Sequence, residues 1–381
     1  MEIRIFDPPV AGSPTFRTVG RATAATEVTL VERLYTPGHF SAEIPWEARH
    51  AEQLRIGLLV LIDGAFWGII DDLELSTEIS GHMLTVSGRQ LKGLTTDRIT
   101  IPPDFTDVSG VQGYDAQTGT TETLMKHYVS TNMLNSAQPG RVLYGLEITA
   151  DRGRGTVEDR YMSRHEVLSD VLAALGEASG LGYDIEPDLE RHKFIFDVVD
   201  GLDHTALQSD RKRVIFEIPR RTSLSQRYRR STSDSRNLFY ATMAGSEFAD
   251  ETLTVTYTRD GEDEPVGIFR REKHLDISAD TPVAGEEYNE LRRLAMIEAE
   301  SFRYAESFTC EIADGPYIYR EDYRVGDLVT VRNNDWGVTM HARLTEMQTE
   351  YGSGGVTHTA TFGTAPLNIM GRLKRQIAKG G

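Results

Sequence analysis

The sequence predicts an α+β chain that is mainly β, built on a duplicated small β-barrel with helical material set between and within the copies. Three observations carry this reading. Residues 55–68 read RIGLLVLIDGAFWG and residues 324–337 read RVGDLVTVRNNDWG, with twelve steps from Arg to Trp in each. Around both phrases short apolar stretches alternate with polar residues and are cut by Gly, Pro and Asp, as in an antiparallel sheet. Between them the apolar period changes from two to that of a helix. Two meanders that share only a turn grammar would read the same way, so the repeat by itself leaves duplication and coincidence both open.

The elements follow in order. In GIIDDLELSTEISGHMLTVSGR, Leu73 and Leu75 alternate with Glu74 and Ser76, a turn is expected near Ser80 and Gly81, and Leu84 and Val86 alternate with Thr85 and Ser87 on the return. One face should be core and the other wet or an interface. ITIPPDFTDVSG (99–110) ends this region with two prolines and a polar loop. A helix is expected over 120–133, where Leu124, Tyr128 and Val129 form a stripe. A second should start at SRHE, with Ser163 as cap and Glu166 reaching back, a capping box worth about 1 kcal/mol. Val167, Leu168, Val171, Leu172 and Leu175 would be its buried face, and Gly180 or Gly182 its end.

Strands return at 193–201, 213–219 and 237–245, then after the acidic turn TRDGEDEPVG at 268–278. A helix over about 285–304 carries Tyr288, Leu291, Leu294 and Ala295 on one side. The last hairpin, VTMHARLTEMQTEYGSGGVTHTATFG, turns at GSGG and sets Val356, His358, Ala360 and Phe362 on one face. The two repeat units then match part for part. Each has an Arg-apolar-Gly turn (Arg55 and Gly57; Arg324 and Gly326), a strand and a polar tip. A Trp-Gly pair (Trp67 and Gly68; Trp336 and Gly337) opens the next strand, and a third ends in Gly88 or Gly363. Duplication requires Trp67 and Trp336 to occupy matching places.

Composition narrows function. A chain of 381 residues holds roughly two to four domains. Its 41 Lys and Arg against 58 Asp and Glu give a formal charge of −17, which argues against stable nucleic-acid binding through phosphate neutralisation. The single cysteine, Cys310, excludes an internal disulfide framework and a zinc ribbon. MEIRIFDPPV lacks the basic and apolar regions of a signal peptide, and no apolar run approaches the ~18 residues that cross a bilayer. Synthesis in a reducing cytoplasm is expected.

Motifs for catalysis are thin. The sequence has no G-x-x-x-x-G-K-[ST], H-E-x-x-H, G-x-S-x-G or EF-hand loop. Asp71, Asp72 and Glu74 supply carboxylates of the kind a cell-wall glycosidase pairs, with Asp72 and Glu74 on one side of the strand and Asp71 on the other. The bland alternative is a solvated sheet face. DGEDE (260–264) offers oxygens to a hard cation but lacks regular ligand spacing, and reads first as a charged hairpin tip. Cys310 in SFTCEIA, with His341 or His358 as imagined base, fits a small core residue better than a nucleophile. No cofactor or metal site is expected.

Two segments suggest partners. SDRKRVIFEIPRRTSLSQRYRRS (209–231) is the basic concentration of an acidic chain, and Phe216 and Tyr228 are too few aromatics for a single-strand groove. Arg220, Arg221, Arg229 and Arg230 are instead expected against acidic surfaces of neighbouring chains. PLNIMGRLKRQIAKGG places Leu367, Met370, Leu373 and Ile377 at helical spacing among basic residues, which suits a docking helix first and a membrane-surface helix or frayed tail second.

Taken in order, RLYTPGHFSAEIP (33–45), GRQLKGLTTDRI (88–99), LMKHYVSTNM (124–133), KFIFDVVDGLDHT (193–205), VIFEI (214–218), REKHLDIS (271–278) and DYRVGDLVTV (322–331) resemble the ReqiPepy6 Gp37-like family of siphophage tail proteins, related to baseplate hub and tail-associated proteins. The resemblance covers nearly the whole chain. It implies a baseplate-hub-like homotrimer in which each chain has two β-barrel tube domains and two smaller inserted α/β subdomains. Residues 1–104 would be the first barrel, 105–205 a helix-containing insert, 206–246 with 312–366 the second barrel, 247–311 a small α/β insert and 367–381 a basic tail. Three chains would give a pseudo-sixfold ring at the virion tail tip, adapting a sixfold tube to threefold tip proteins around the DNA ejection path. The implied partners are a distal tail protein or tail tube ring, the tape measure protein, and tip fibre or receptor-binding proteins. The chain stops about 15 residues after the second expected barrel, so any lytic enzyme is expected elsewhere. A carbohydrate- or receptor-binding module is the remaining rival.

Overall fold

Alternating β-branched and aromatic residues make strands the commonest element among the described residues. The computed structural model describes residues 1–79, 81–102, 115–136, 138–244, 252–258, 264–277, 302–313 and 315–363, with isolated positions 288, 291, 292, 295 and 299. The expected turn at Ser80, most of the loop at 99–110, acidic residues 260–263, Leu294 and the C-terminal segment with Leu367, Met370 and Leu373 lie outside the described residues.

The strands of the first repeat region are β1 (Ile3–Asp7), β2 (Arg17–Ala22), β3 (Glu27–Arg33), β4 (His39–Pro45), β5 (Leu59–Ile62), β6 (Phe66–Glu78) and β7 (Gly81–Gln90). A helix-bearing segment follows, with β8 (Asp115–Thr120), α1 (Thr121–Val129), β9 (Leu146–Ile148), β10 (Val157–Ser163), α2 (Leu168–Ser179), β11 (Gly182–Asp188) and β12 (Lys193–Val199). The rest comprises β13 (Ile215–Phe216), β14 (Ser223–Ser231), β15 (Leu238–Ala244), β16 (Thr252–Tyr257), β17 (Glu272–Ile277), β18 (Ala305–Ile312), β19 (Leu328–Asn333), β20 (Val338–Gly352) and β21 (Gly355–Gly363). The chain forms two compact units, Met1–Gln226 with Thr309–Phe362, and Arg227–Phe308 with Gly363–Gly381. Among the described residues no helix is long and apolar enough to cross a membrane.

In the larger unit the two repeat regions are joined. Residues 28–33 of β3 pair antiparallel with residues 346–351 of β20, with Arg33 opposite Glu346 and their side chains 2.6 Å apart. Val28, Leu30, Val31 and Met347 are buried along this seam. It belongs to a 13-stranded sheet in the order β14-β18-β21-β20-β3-β4-β7-β6-β5-β1-β2, with β19 on β20 and β13 on β19. Among the described residues no pairing joins the ends of this path, so the two expected barrels are not seen as closed barrels. The reason lies in β20, whose distal half gives its second edge to β3 rather than to a strand of its own copy.

The repeated phrase makes the same turn twice. Gly57 N donates to Ile70 O and Gly326 N to Leu344 O, both at 2.8 Å, while Ile70 N and Leu344 N donate back to Leu58 O and Asp327 O. Both glycines have positive φ, +85° and +105°, a region that disfavours a side chain. The tryptophans do not match. Leu61 faces Trp67, whereas Thr330, equally far from its glycine, faces His341. His341 and Ala342 thus take the places of Trp67 and Gly68, and Trp336 and Gly337 fall in the hairpin tip. The expectation that Trp67 and Trp336 are equivalent is corrected: β19 has six residues where β5 has four, so the second hairpin turns later. Trp67 packs on Phe6 at 5.3 Å between ring centroids, while Trp336 is 51% exposed.

The helix-bearing segment packs α1 and α2 over the antiparallel β11–β12 pair, to which β9 adds in parallel. Leu124, Tyr128 and Val129 of α1 and Leu168, Val171, Leu172 and Leu175 of α2 are buried in one apolar cluster with Tyr183, Phe194 and Phe196. Thr120 caps α1, accepting from Thr123 N at 3.3 Å, and Gly180 ends α2 with φ +78°. The capping box expected at Ser163 is not there. Ser163 ends β10, its hydroxyl lies 2.7 Å from Thr100 Oγ1 and donates to the Glu166 carboxylate, and α2 begins at Leu168 after Val167. Thr100, remote in sequence, has taken the place of the helix end as partner.

A buried ion cluster ties this segment together. Glu122 accepts from Lys126 Nζ at 2.7 Å and from Arg154 Nε at 2.9 Å. Burial pushes the Glu122 carboxyl up, but the hydrogen bonds from Arg154 and Lys126 outweigh it and hold the group at about 2. Lys92, also buried, donates to the carbonyls of Arg33, Leu34 and Tyr183.

The smaller unit has a three-stranded sheet, β16-β15-β17, covered by helical residues Leu291, Ala295 and Ala299 within the expected 285–304 helix. Two strand expectations shorten. RVIFEIP yields only Ile215–Phe216, paired in parallel with two residues of β19, and the strand expected from 268 starts at Glu272 because Gly267–Phe269 form a 3-10 turn.

Met347→Ala is expected to lower the unfolding free energy by about 2–5 kcal/mol, whereas Glu346→Gln, at a half-exposed pair, costs under about 1 kcal/mol; urea denaturation checks both. A carboxyl whose folded pKa is depressed contributes stability above its unfolded value of 4.5, and that contribution is lost as pH falls through about 2. The Tm gap between wild type and Glu122→Gln should therefore be full at pH 6 and close as the pH approaches 2.

Candidate assembly interface

The acidic strand is β6. β5 pairs only with its first four residues, Phe66–Ile69, so residues 72–77 have β7 on one side and, among the described residues, no strand on the other. The register slips between Ile70 and Asp72, which makes Asp71 the extra residue and sets Asp72 opposite Ser87 and Glu74 opposite Thr85. Asp72 and Glu74 therefore leave the same face. Both are exposed and make no ion pair among the described residues, while Asp71 lies 3.4 Å from Arg89 Nε. Leu73 on the opposite face packs on the core, and Leu75 beyond it is 60% exposed. This is an edge with a charged face and an apolar face. Among the described residues it lacks the enclosure that a glycosidase uses to hold one carboxyl protonated.

The basic run divides by position. Arg220 Nε lies 2.7 Å from Glu217 Oε1, and the buried Glu217 carboxylate also accepts from Arg332 Nη2 at 2.6 Å. Arg221 closes the turn, with N donating to Ile218 O at 2.8 Å and φ +52°, and is exposed. In β14, Tyr228 packs tilted against Phe308 with ring centroids 5.1 Å apart and Arg230 lies 4.4 Å over the Tyr304 ring. Arg227 and Arg229 point from the other face and are exposed. β14 ends the strand order, so its outer edge carries no partner among the described residues. Of the four arginines singled out in the sequence, Arg220 and Arg230 are engaged within the chain, and Arg221 and Arg229 are presented outward. Arg227 was missed; the Arg-x-Arg spacing within a strand was the signal for it.

Other candidates resolve as structure. Cys310 is buried in β18, and burial pushes its thiol up to about 12. His341 Nδ1 sits 2.9 Å from Thr330 Oγ1 and His358 Nδ1 sits 3.0 Å from Thr349 Oγ1, each held by its own hairpin. Glu264 pairs with Arg270 at 2.6 Å. Among the described residues no group of three or more His, Cys, Asp or Glu side chains gathers as a metal site. A concavity of about 490 Å3 beside α1 is lined by Lys126, His127, Glu147 and Asp151, but Lys126 is already committed to Glu122.

Comparisons place this arrangement. The model of the siphovirus ReqiPepy6 Gp37-like protein family matches residues 2–364. The fold is similar to that of the 43 kDa tail protein of prophage MuSo2 from Shewanella oneidensis, at 14% identity and a TM-score of 0.53, covering 95% of this chain and 98% of that one. It is similar to a tail protein from Neisseria meningitidis at 14% identity and a TM-score of 0.52, covering 95% of both chains. It is also similar to prophage tail protein gp18 from Listeria monocytogenes at 11% identity and a TM-score of 0.50, covering 100% of this chain and 99% of that one. No curated protein matches in sequence. A mainly β fold shared end to end with prophage tail proteins, and a family match that spans nearly every residue, lead to one conclusion: the chain belongs to the siphovirus ReqiPepy6 Gp37-like protein family.

Proposed function

We propose that this protein is the structural hub of a phage tail tip, a trimeric ring that adapts a sixfold tail tube to threefold tip proteins and lines the DNA ejection path. The β3–β20 seam carries the reading. It joins in one sheet the two regions that carry the same Arg-x-Gly turn, with β3, β4 and β7 between β20 and β6, so three chains would present six similar units in a ring. Family membership and the fold shared with prophage tail proteins support a place in the tail.

Within this proposal, residues 1–104 and residues 206–246 with 312–366 form the tube wall. Segments 105–205 and 247–311 reach towards neighbours: a distal tail protein or tube ring, the tape measure protein, and tip fibre or receptor-binding proteins. The charge of −17 suits a lumen through which DNA passes without adhering. The role is structural rather than enzymatic, a reading favoured by the open, solvated setting of Asp72 and Glu74.

Gold labelling of a tagged chain in purified tailed particles is expected to mark the distal tip only, and the purified chain should leave a cell-wall zymogram uncleared. Label along the whole tail contradicts the hub role. Clearing that Asp72→Asn and Glu74→Gln abolish would restore the glycosidase.

A further inference from the structure

Resting on the ring reading, we infer that the free edge of β6 in one copy, residues 72–77, pairs antiparallel with the free edge of β14 in the next, making one sheet across the subunit boundary. Both edges present unpaired backbone groups among the described residues. Such rows recruit other strands unless something blocks them. The usual blocks are proline and charge. Neither DDLELSTEI nor SLSQRYRRS contains proline, so each stretch keeps all of its N–H donors.

The charges on the two edges are opposite and equally spaced. Asp72 and Glu74 stand two residues apart on one face of β6, and Arg227 and Arg229 stand two residues apart on one face of β14. With Asp72 opposite Arg229 and Glu74 opposite Arg227, both ion pairs form in a single register. That register also puts Leu75, 60% exposed, and Leu224, 59% exposed, diagonal to each other on the reverse face. One alignment thus satisfies the backbone, the charges and the two exposed leucines together. Pairing β6 with β6 sets acid against acid, and β14 with β14 sets arginine against arginine. The contact is therefore head to tail, the kind that generates rings when its rotation closes.

The test is charge exchange followed by sedimentation velocity. Asp72→Arg with Glu74→Arg, and separately Arg227→Glu with Arg229→Glu, should each weaken self-association by at least about tenfold. A chain carrying all four changes should recover it, with thermal melts showing that every variant is folded. As a second reading, Glu74→Cys chains mixed with Arg227→Cys chains should form a disulfide-linked pair under mild oxidation, and neither should do so alone. Self-association indifferent to both reversals, with no mixed disulfide, overturns the strand pairing and leaves the ring standing. Wild-type chains that stay monomeric and unlinked at every concentration overturn both.

Discussion

Six residue pairs between β3 and β20 determine how the larger unit can be arranged. Antiparallel pairing uses up an edge of each strand, and an edge given to one neighbour is withheld from another. By taking β3, β20 forgoes closure within its own repeat and fuses the two repeat regions into one surface. Arg33 and Glu346 mark the register from one face, and Met347, with Leu30 and Val28, fixes it from the other, where all three are buried. A slip of one residue would turn Met347 to solvent and bring Glu346 inward, a cost that the half-exposed salt bridge is too weak to offset.

Charge is distributed with the same economy. Ionic groups inside the larger unit are matched: Glu122 with Lys126 and Arg154, Glu217 with Arg332 and Arg220, and Lys92 with three carbonyl oxygens. A buried charge without such partners would be expensive, so these clusters belong to the fold. Asp72 and Glu74 on one strand edge and Arg227 and Arg229 on the other make no ion pair within the chain among the described residues. An acidic protein that places unmatched arginines on one free edge and unmatched carboxylates on another keeps each edge from pairing with its own kind.

Local patterns were legible where local physics decides. The apolar face of α2 from Leu168 to Leu175, the strand at Lys193–Val199 and the glycine turns at Gly57 and Gly326 all follow from period and backbone freedom. Legibility failed where a distant residue intervened. Ser163 looked like a helix cap because Thr100, which engages its hydroxyl, is invisible from SRHE. Trp336 looked like a copy of Trp67 because equal spacing in sequence does not specify where a hairpin turns. The free edges of β6 and β14 emerge only from strand order, since an edge is defined by which strand is missing beside it.

The proposed threefold assembly with sixfold character rests on the repeat, the seam and the family. Native mass measurement of the assembled chain, combined with class-averaged images down the ring axis, tests this most directly. Three chains with six similar lobes around a central opening is the expected result. A stable single chain under tail-assembly conditions, or a ring of six chains, would contradict it.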